Sequence, residues 1–209
     1  MSRCEWTALI GSLPLMLLLV AAGHYFYDLP VREFFTDRDW WGLPFFQTIT
    51  YLGESTVYLV VSGILFLSFI YVLPNRRQAR RMLYVFSAIA VSGVAANLVK
   101  WLMGRWRPKM LSPGGLYGFE FFGVGYGQTS FPSGHATTIM ALAFTLSLLY
   151  PRWRPLWIAV ALLVAASRIV IGAHYTSDVL MGAYVCILTA FLLWRWPFFR
   201  KAMDNKEPS

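Results

Sequence analysis

Six apolar runs, each close to the roughly 20 residues needed to cross a bilayer, constrain this chain more than any other feature of it. They fall at about 7–27, 56–73, 82–103, 134–150, 156–172 and 177–194. Charged residues make up only 13% of the chain and hydrophobic ones 57%, where a soluble domain carries roughly 25% charged. The pattern predicts an all-α fold: a polytopic membrane protein, a six-transmembrane-helix bundle, with residues 1–209 as one domain. The first run lacks a small-residue cleavage site and reads as a retained helix. A net charge of +8 would suit nucleic acid only if the basic residues shared a solvated face. They stand between the apolar runs instead, so the expected partner is the lipid bilayer and not nucleic acid. Cys4 and Cys186 lie far apart, and no disulfide is expected.

Arg76, Arg77, Arg80 and Arg81 follow the second run, Arg152 and Arg154 follow the fourth, and Arg195, Arg200 and Lys201 close the chain. Six crossings put all three groups on one side, which the positive-inside rule makes the cytoplasm. The expected location is the cell (inner) membrane, with residues 104–130 and the link after the fifth run on the periplasmic or exterior side. The stretch 28–51 mixes charge with aromatics, without a clean helical period. It reads equally as an interfacial segment or a connecting loop. Pro113-Gly114-Gly115 marks a turn in the loop 104–130.

Three stretches break the apolar pattern in a way that demands chemistry: K-W-L-M-G-R-W-R-P at 100–108, F-P-S-G-H at 131–135 and S-R-I-V-I-G-A-H-Y-T-S-D at 167–178. Ala88, Ser92, Ala96 and Lys100 recur every fourth residue, a line of small side chains that aims the lysine into a helix seam. Lys100 and Arg107 are seven apart, so a helix running to Pro108 would turn both the same way. With Arg168 they form three cations in search of an anion, and a phosphate fits. Arg105 and Lys109 read as interfacial anchors, snorkelling to the headgroups. Ser133 can cap the helix opened by Gly134, where free backbone N–H groups suit an anion. His174 and Asp178 are one helical turn apart, so the carboxylate can take the Nδ1 proton and leave Nε2 with a lone pair. Gly182, Cys186 and Ala190 continue that face and mark it as packed against a neighbour. His24 reads as structural. His135, His174 and Asp178 are ligand types that zinc accepts. Lys100, Arg107 and Arg168 would oppose a dication, so no metal and no cofactor is expected.

These stretches resemble the signature of the type 2 phosphatidic acid phosphatase superfamily: K-x6-R-P, P-S-G-H and S-R-x5-H-x3-D. Lys100, Arg107 and Pro108 fit the first part, 132–135 the second, and Ser167, Arg168, His174 and Asp178 the third. The resemblance implies a metal-independent phosphatase that hydrolyses a phosphomonoester or pyrophosphate of a membrane lipid at the extracytoplasmic face. It also implies roles. His174 would be the nucleophile that forms a phosphohistidine, Asp178 would orient it, and His135 would protonate the leaving oxygen and then activate water. Lys100, Arg107, Ser133, Gly134 and Arg168 would hold the phosphoryl oxygens. Substrates of the family include phosphatidic acid, phosphatidylglycerophosphate, undecaprenyl pyrophosphate and lipid A phosphate, and the sequence does not choose among them. Tyr117, Phe119, Phe121 and Phe122 are expected to line the mouth of the site. Two other readings stand beside this one: a lipid phosphotransferase using the same site, and a transporter whose intramembrane charges line a path. The paired histidines argue against the transporter, since transport needs no nucleophile.

Overall fold

The computed structural model describes residues 3–36, 41–111 and 115–200, with the side chains of 3–10 left out. Asp37, Arg38, Asp39, Trp40, Pro113, Gly114, Lys201 and the side chain of Cys4 therefore lie outside the described residues. Everything described is helix or loop apart from an isolated bridge between Arg105 and Phe119. The helices are α1 (Arg3–Ala22), α2 (Asp28–Thr36), α3 (Leu43–Ile49), α4 (Ser55–Tyr71), α5 (Arg76–Met103), α6 (Gly134–Leu149), α7 (Arg154–Val170), α8 (Thr176–Arg195) and the short α9 (Pro197–Arg200). A π-helical turn, Gly23–Tyr27, joins α1 to α2, and a 3-10 turn, Thr50–Gly53, leads from α3 towards α4.

Among the described residues, five stretches are long and apolar enough to cross a membrane, and a shorter apolar helix, α6, packs with them. Residues 28–36 and 43–53 are helical, neither a separate interfacial segment nor a plain loop. They lengthen the first two spans to Gly11–Thr36 and Leu43–Tyr71. The sequence obscured this because the charges of 28–39 break the apolar period while leaving good helix formers in place.

α6 packs against α5, α7 and α8. Its 16 residues reach only about 24 Å, less than a bilayer core. Wrapped by protein, it need not match the lipid. Its buried face carries Thr137, Thr138, Thr145 and Ser147 between alanines; Thr137 Oγ1 donates back to Ser133 O and Thr145 Oγ1 to Leu142 O, each at 2.9 Å. The four-residue stripe of α5 behaves as its spacing predicts. Ala88, Ser92 and Ala96 are buried, and Ser92 Oγ meets Thr189 Oγ1 of α8 at 2.6 Å. Cys186 is a free, buried thiol.

α5 begins where Asn75 accepts a hydrogen bond from Gln78 N at 3.0 Å. It ends at Gly104, whose φ of 53° is left-handed. There the chain reverses into a short antiparallel pairing. Glu120 N donates to Gly104 O at 2.8 Å and Trp106 N to Gly118 O at 3.1 Å, which fixes Arg105 between them. A Cβ on Gly104 would lie 1.7 Å from Glu120 O. Gly104→Ala is therefore expected to lower stability by more than the roughly 1–2 kcal/mol of the left-handed conformation alone. Gly93→Ala, which meets nothing within 4 Å, should leave the protein at least as stable. Thermal unfolding of the two variants in detergent checks this, and equal midpoints would show that the reversal does not need glycine.

Candidate active site

The site lies where the N-terminus of α6 meets the last turns of α5 and α7 and the link from α7 to α8. Ser133 is the N-cap of α6, with its own N–H held by Asp178 O at 2.9 Å and its Oγ a long 3.5 Å from Ala136 N. The first N–H groups of α6 have no partner within the helix, and its positive dipole end sits there. Lys100 comes to this point: its Nζ lies 3.2 Å from where a Cβ on Gly134 would be. Any other residue at 134 would press on the ammonium group. His135, one residue into α6, packs its ring on Gly53, where an added Cβ would lie 2.9 Å from His135 Cδ2.

Arg107 is not on the lysine's helix. α5 stops at Met103, and Arg107 is extended, with φ −75° and ψ 153°. It reaches the site from the loop, over the Tyr126 ring at 4.2 Å, with Nε on Tyr126 O at 2.9 Å and Nη2 on Thr129 O at 3.3 Å. These neutral acceptors leave further N–H donors of its fork unused. Burial holds its pKa below the usual arginine range, against the pull of Tyr126 and Asp178. Arg168, on the last turn of α7, donates from Nη1 to Thr50 Oγ1 at 2.6 Å, and its Nε is buried without a partner. A buried guanidinium N–H left unpaired is costly, and an anion would satisfy it.

His174 is buried in the α7–α8 link. Its Nδ1 is 2.8 Å from the Ser130 carbonyl and 3.7 Å from Asp178 Oδ2. This corrects the expected Nδ1–Asp178 hydrogen bond. A carbonyl can only accept, so Nδ1 carries the proton and Nε2 the lone pair. Asp178 acts one step removed. Its Oδ2 accepts from Ser130 Oγ at 2.5 Å and from Tyr175 N at 2.8 Å, so it holds both the residue that His174 bonds and the residue that follows His174. Burial pushes the His174 pKa down to about 4; Asp178 opposes the shift, and Arg107 and Arg168 add to it.

Arg105 overturns its reading as a snorkelling anchor. It is fully buried, with Nη1 on Asp178 Oδ1 at 2.6 Å and Nη2 on Asp28 Oδ2 at 2.7 Å. Burial alone would lower its pKa, but the carboxylates of Asp178 and Asp28 outweigh burial and raise it. Lys109 is exposed. Tyr117 and Phe119 also turn inward: Tyr117 stacks on His24 at 4.7 Å between centroids, and Phe119 lies 5.1 Å from the Arg105 guanidinium carbon. Phe121 and Phe122 are exposed on the loop. Arg105, Asp28, Ser130 and Thr50 are the participants that spacing did not reveal. The one signal was the repeated cation of R-W-R, which does not say which arginine turns inward.

Bundle and site together define a class: a multi-pass membrane protein with a buried, cation-lined histidine site at one end of its helices. Residues 81–202 match the model of the PAP2 superfamily, and the chain belongs to that family. It is 34% identical over 186 residues to a lipid A 1-phosphatase of Rhizobium etli, covering 77% of this chain and 80% of that protein. An undecaprenyl-diphosphatase of Bacillus subtilis is 28% identical over 145 residues, 68% of this chain and 70% of that one. The fold matches the crystal structure of a PAP2-type phosphatidylglycerolphosphate phosphatase from Bacillus subtilis with a TM-score of 0.68 at 22% identity, covering 96% of this chain and all of that one.

The His174 environment sets a pH dependence. The folded pKa near 4 lies below the ordinary histidine value of 6.5, so the unfolded chain takes up a proton first as pH falls. The stability tied to neutral His174 is complete above pH 6.5 and lost as pH falls towards 4, by an amount on the order of 3 kcal/mol. His174→Asn does not titrate there. Its thermal midpoint should fall less steeply between pH 7 and 4 than that of the wild type, and parallel profiles would contradict a buried neutral imidazole.

Proposed function

We propose that this protein is a lipid phosphatase that hydrolyses a phosphomonoester or diphosphate of a membrane lipid through a phosphohistidine on His174. The observation that carries this reading is the 2.8 Å contact of His174 Nδ1 with the Ser130 carbonyl. A neutral imidazole with its proton tied to the Ser130 carbonyl keeps an Nε2 lone pair, under the influence of Arg107 and Arg168. Phosphoryl transfer is largely positioning plus stabilisation of the equatorial oxygens. Lys100, Arg107, Arg168 and the first N–H groups of α6 supply the positive side of that stabilisation.

The reaction runs in two displacements. His174 Nε2 attacks phosphorus, the P–O bond to the lipid breaks, and the leaving oxygen takes a proton from His135. Water then attacks the phosphohistidine, gives a proton to His135, and the P–N bond breaks to release phosphate and restore His174. An open space beside His135 supports this role. His135 lines a cavity of about 270 Å³ together with Gly53, Glu54, Asn97, Gly134 and Thr138. Asn97 also borders a second cavity of about 300 Å³ with Lys100, Trp101 and Thr129. Trp101 lines the second cavity, and Val94 and Leu98 are exposed on the same helix, so a lipid held in the bilayer can offer its phosphate sideways. The relatives' names supply the candidate headgroups: lipid A 1-phosphate, undecaprenyl diphosphate and phosphatidylglycerophosphate. The whole chain is taken as one phosphatase domain in the cell (inner) membrane. The arginine clusters at 76–81, 152–154 and 195–200 support a cytoplasmic opposite end and a site facing outward.

Purified protein presented with a panel of these lipids is expected to release phosphate, and His174→Ala, still folded, to release none. Turnover by a folded His174→Ala would end its role as nucleophile.

A second measurement separates chemistry from binding at His135. A lipid alkoxide needs a proton in order to leave and a nitrophenolate does not, and general acid help is worth roughly 10²–10⁴-fold. His135→Ala should slow phosphohistidine formation strongly from a lipid and little from nitrophenyl phosphate. The aryl ester should then give a burst of nitrophenol and accumulate phosphohistidine, because water is no longer activated. Equal losses on both substrates, without a burst, would confine His135 to binding phosphate.

A further inference from the structure

The segment ahead of the family match holds a buried charge that reaches the site. Asp28 opens α2 directly after the π-helical turn Gly23–Tyr27 and is 1% exposed. Its Oδ1 accepts Ser177 N at 3.0 Å, and its Oδ2 accepts Ser177 Oγ and Arg105 Nη2. Arg105 Nη1 then donates to both Ser177 Oγ and Asp178 Oδ1 at 2.6 Å. The contact is close all along. An added Cβ on Gly23 would lie 3.0 Å from Ser177 Cβ, and Tyr117 OH clamps the turn by donating to His24 O at 2.6 Å.

We propose that Asp28 and Arg105 are positioning residues for the nucleophile, an ion-pair link from α2 that holds Asp178 and, through Ser130, the tautomer of His174. The inference rests on the phosphatase reading and extends it to residues 23–36, which lie outside the matched 81–202. Neither residue touches the reacting atoms. Stability alone explains such a link poorly, because a fully buried ionic triad is often no more stabilising than apolar side chains of the same size. Charge gives a better account. Asp28, Arg105 and Asp178 sum to one negative charge while His174 is neutral. When Nε2 bonds phosphorus and Nδ1 keeps its proton, the ring becomes cationic and the group of four becomes neutral. Lys100, Arg107 and Arg168 meanwhile face the phosphoryl oxygens. The link is therefore matched to the charged intermediate more closely than to the resting enzyme, which is the condition for raising rate instead of affinity.

The test uses the full chain, nitrophenyl phosphate in single turnover, and inorganic phosphate as a competing ligand. In Asp28→Asn, phosphohistidine formation should slow about 10- to 100-fold, the size of one charge-assisted hydrogen bond, while the phosphate inhibition constant moves less than about twofold. Arg105→Lys should lose rate in the same way. The double variant should be little worse than the poorer single one, because the two act in series. Should Asp28→Asn fail to fold, Ser177→Ala removes the two hydroxyl bonds of the same link without stranding a charge, and a several-fold loss of rate at unchanged phosphate inhibition is expected. Wild-type rates in folded variants, equal losses in rate and phosphate affinity, or additive losses would each overturn the positioning role. If the wild type forms no phosphohistidine at all, the phosphatase reading fails and this inference fails with it. An active wild type beside an unaffected Asp28→Asn sinks the link alone.

Discussion

Removing one guanidinium from water sets the terms for this structure. Arg105 has no contact with solvent, and a lone buried charge of that kind would cost several kcal/mol. Its two carboxylate partners come from opposite ends of the chain, Asp28 from α2 and Asp178 from α8. The loop after α5 cannot take its place unless both helices are already in register. In the other direction, Asp178 cannot sit buried beside His174 without the arginine. Tyr175, Phe119 and Tyr117 close over the guanidinium with centroids 4.5, 5.1 and 5.8 Å away, which excludes the water that would loosen the pairs.

The same side chain behaves differently a few residues away. Arg107 and Arg168 are also buried, yet the partners the fold gives them are carbonyl and hydroxyl oxygens: Tyr126 O, Thr129 O and Thr50 Oγ1. Those acceptors fix the direction of each fork without cancelling its charge. An arginine paired to two carboxylates has its charge cancelled, even where its Nε stays unpartnered as in Arg105, whereas one held by neutral acceptors keeps a net charge that attracts an anion. The unpartnered Nε of Arg168 and the ammonium of Lys100 at Gly134 belong to that second group. The three arginines are thus separated by the charge of their partners, not by burial.

That distinction is what the sequence could not display. Lys100, Ser133, Gly134, His135, Arg168, His174 and Asp178 were legible, because a charge or imidazole inside an apolar run has few innocent explanations and their spacings repeat a known signature. The helices were legible from the length of the apolar runs. Arg107 was picked for the wrong reason: the helical turn from Lys100 that it was meant to share ends at Gly104, and a loop carries it back. Arg105 looked like its neighbour because burial is a property of three segments meeting, 28, 105 and 178, and no local pattern records that meeting. Asp28 was hidden in a mixed stretch whose lost period masked an ordinary helix. The bond from His174 to a backbone carbonyl was invisible for a simpler reason, since every residue has a carbonyl.

Close packing then turns this set of charges into a geometry. Three elements approach the N-terminus of α6 where only a hydrogen fits: Gly53 against His135, Gly134 against Lys100, and Gly182 of α8, whose added Cβ would lie 2.6 Å from Ser133 O. Such contacts tolerate little sliding, because interiors are packed as densely as organic crystals. The His135 ring sits directly on Gly53, so small backbone shifts would pass to its imidazole. In-line phosphoryl transfer needs the nucleophile, the phosphorus and the proton donor aligned within fractions of an ångström. A site of long cations alone could bind phosphate while its helices wandered. In the proposed mechanism, with His135 fixed on Gly53 and His174 fixed on Ser130, the cations would need only to hold the oxygens, and alignment would be left to the floor of glycine contacts and the buried pairs behind it.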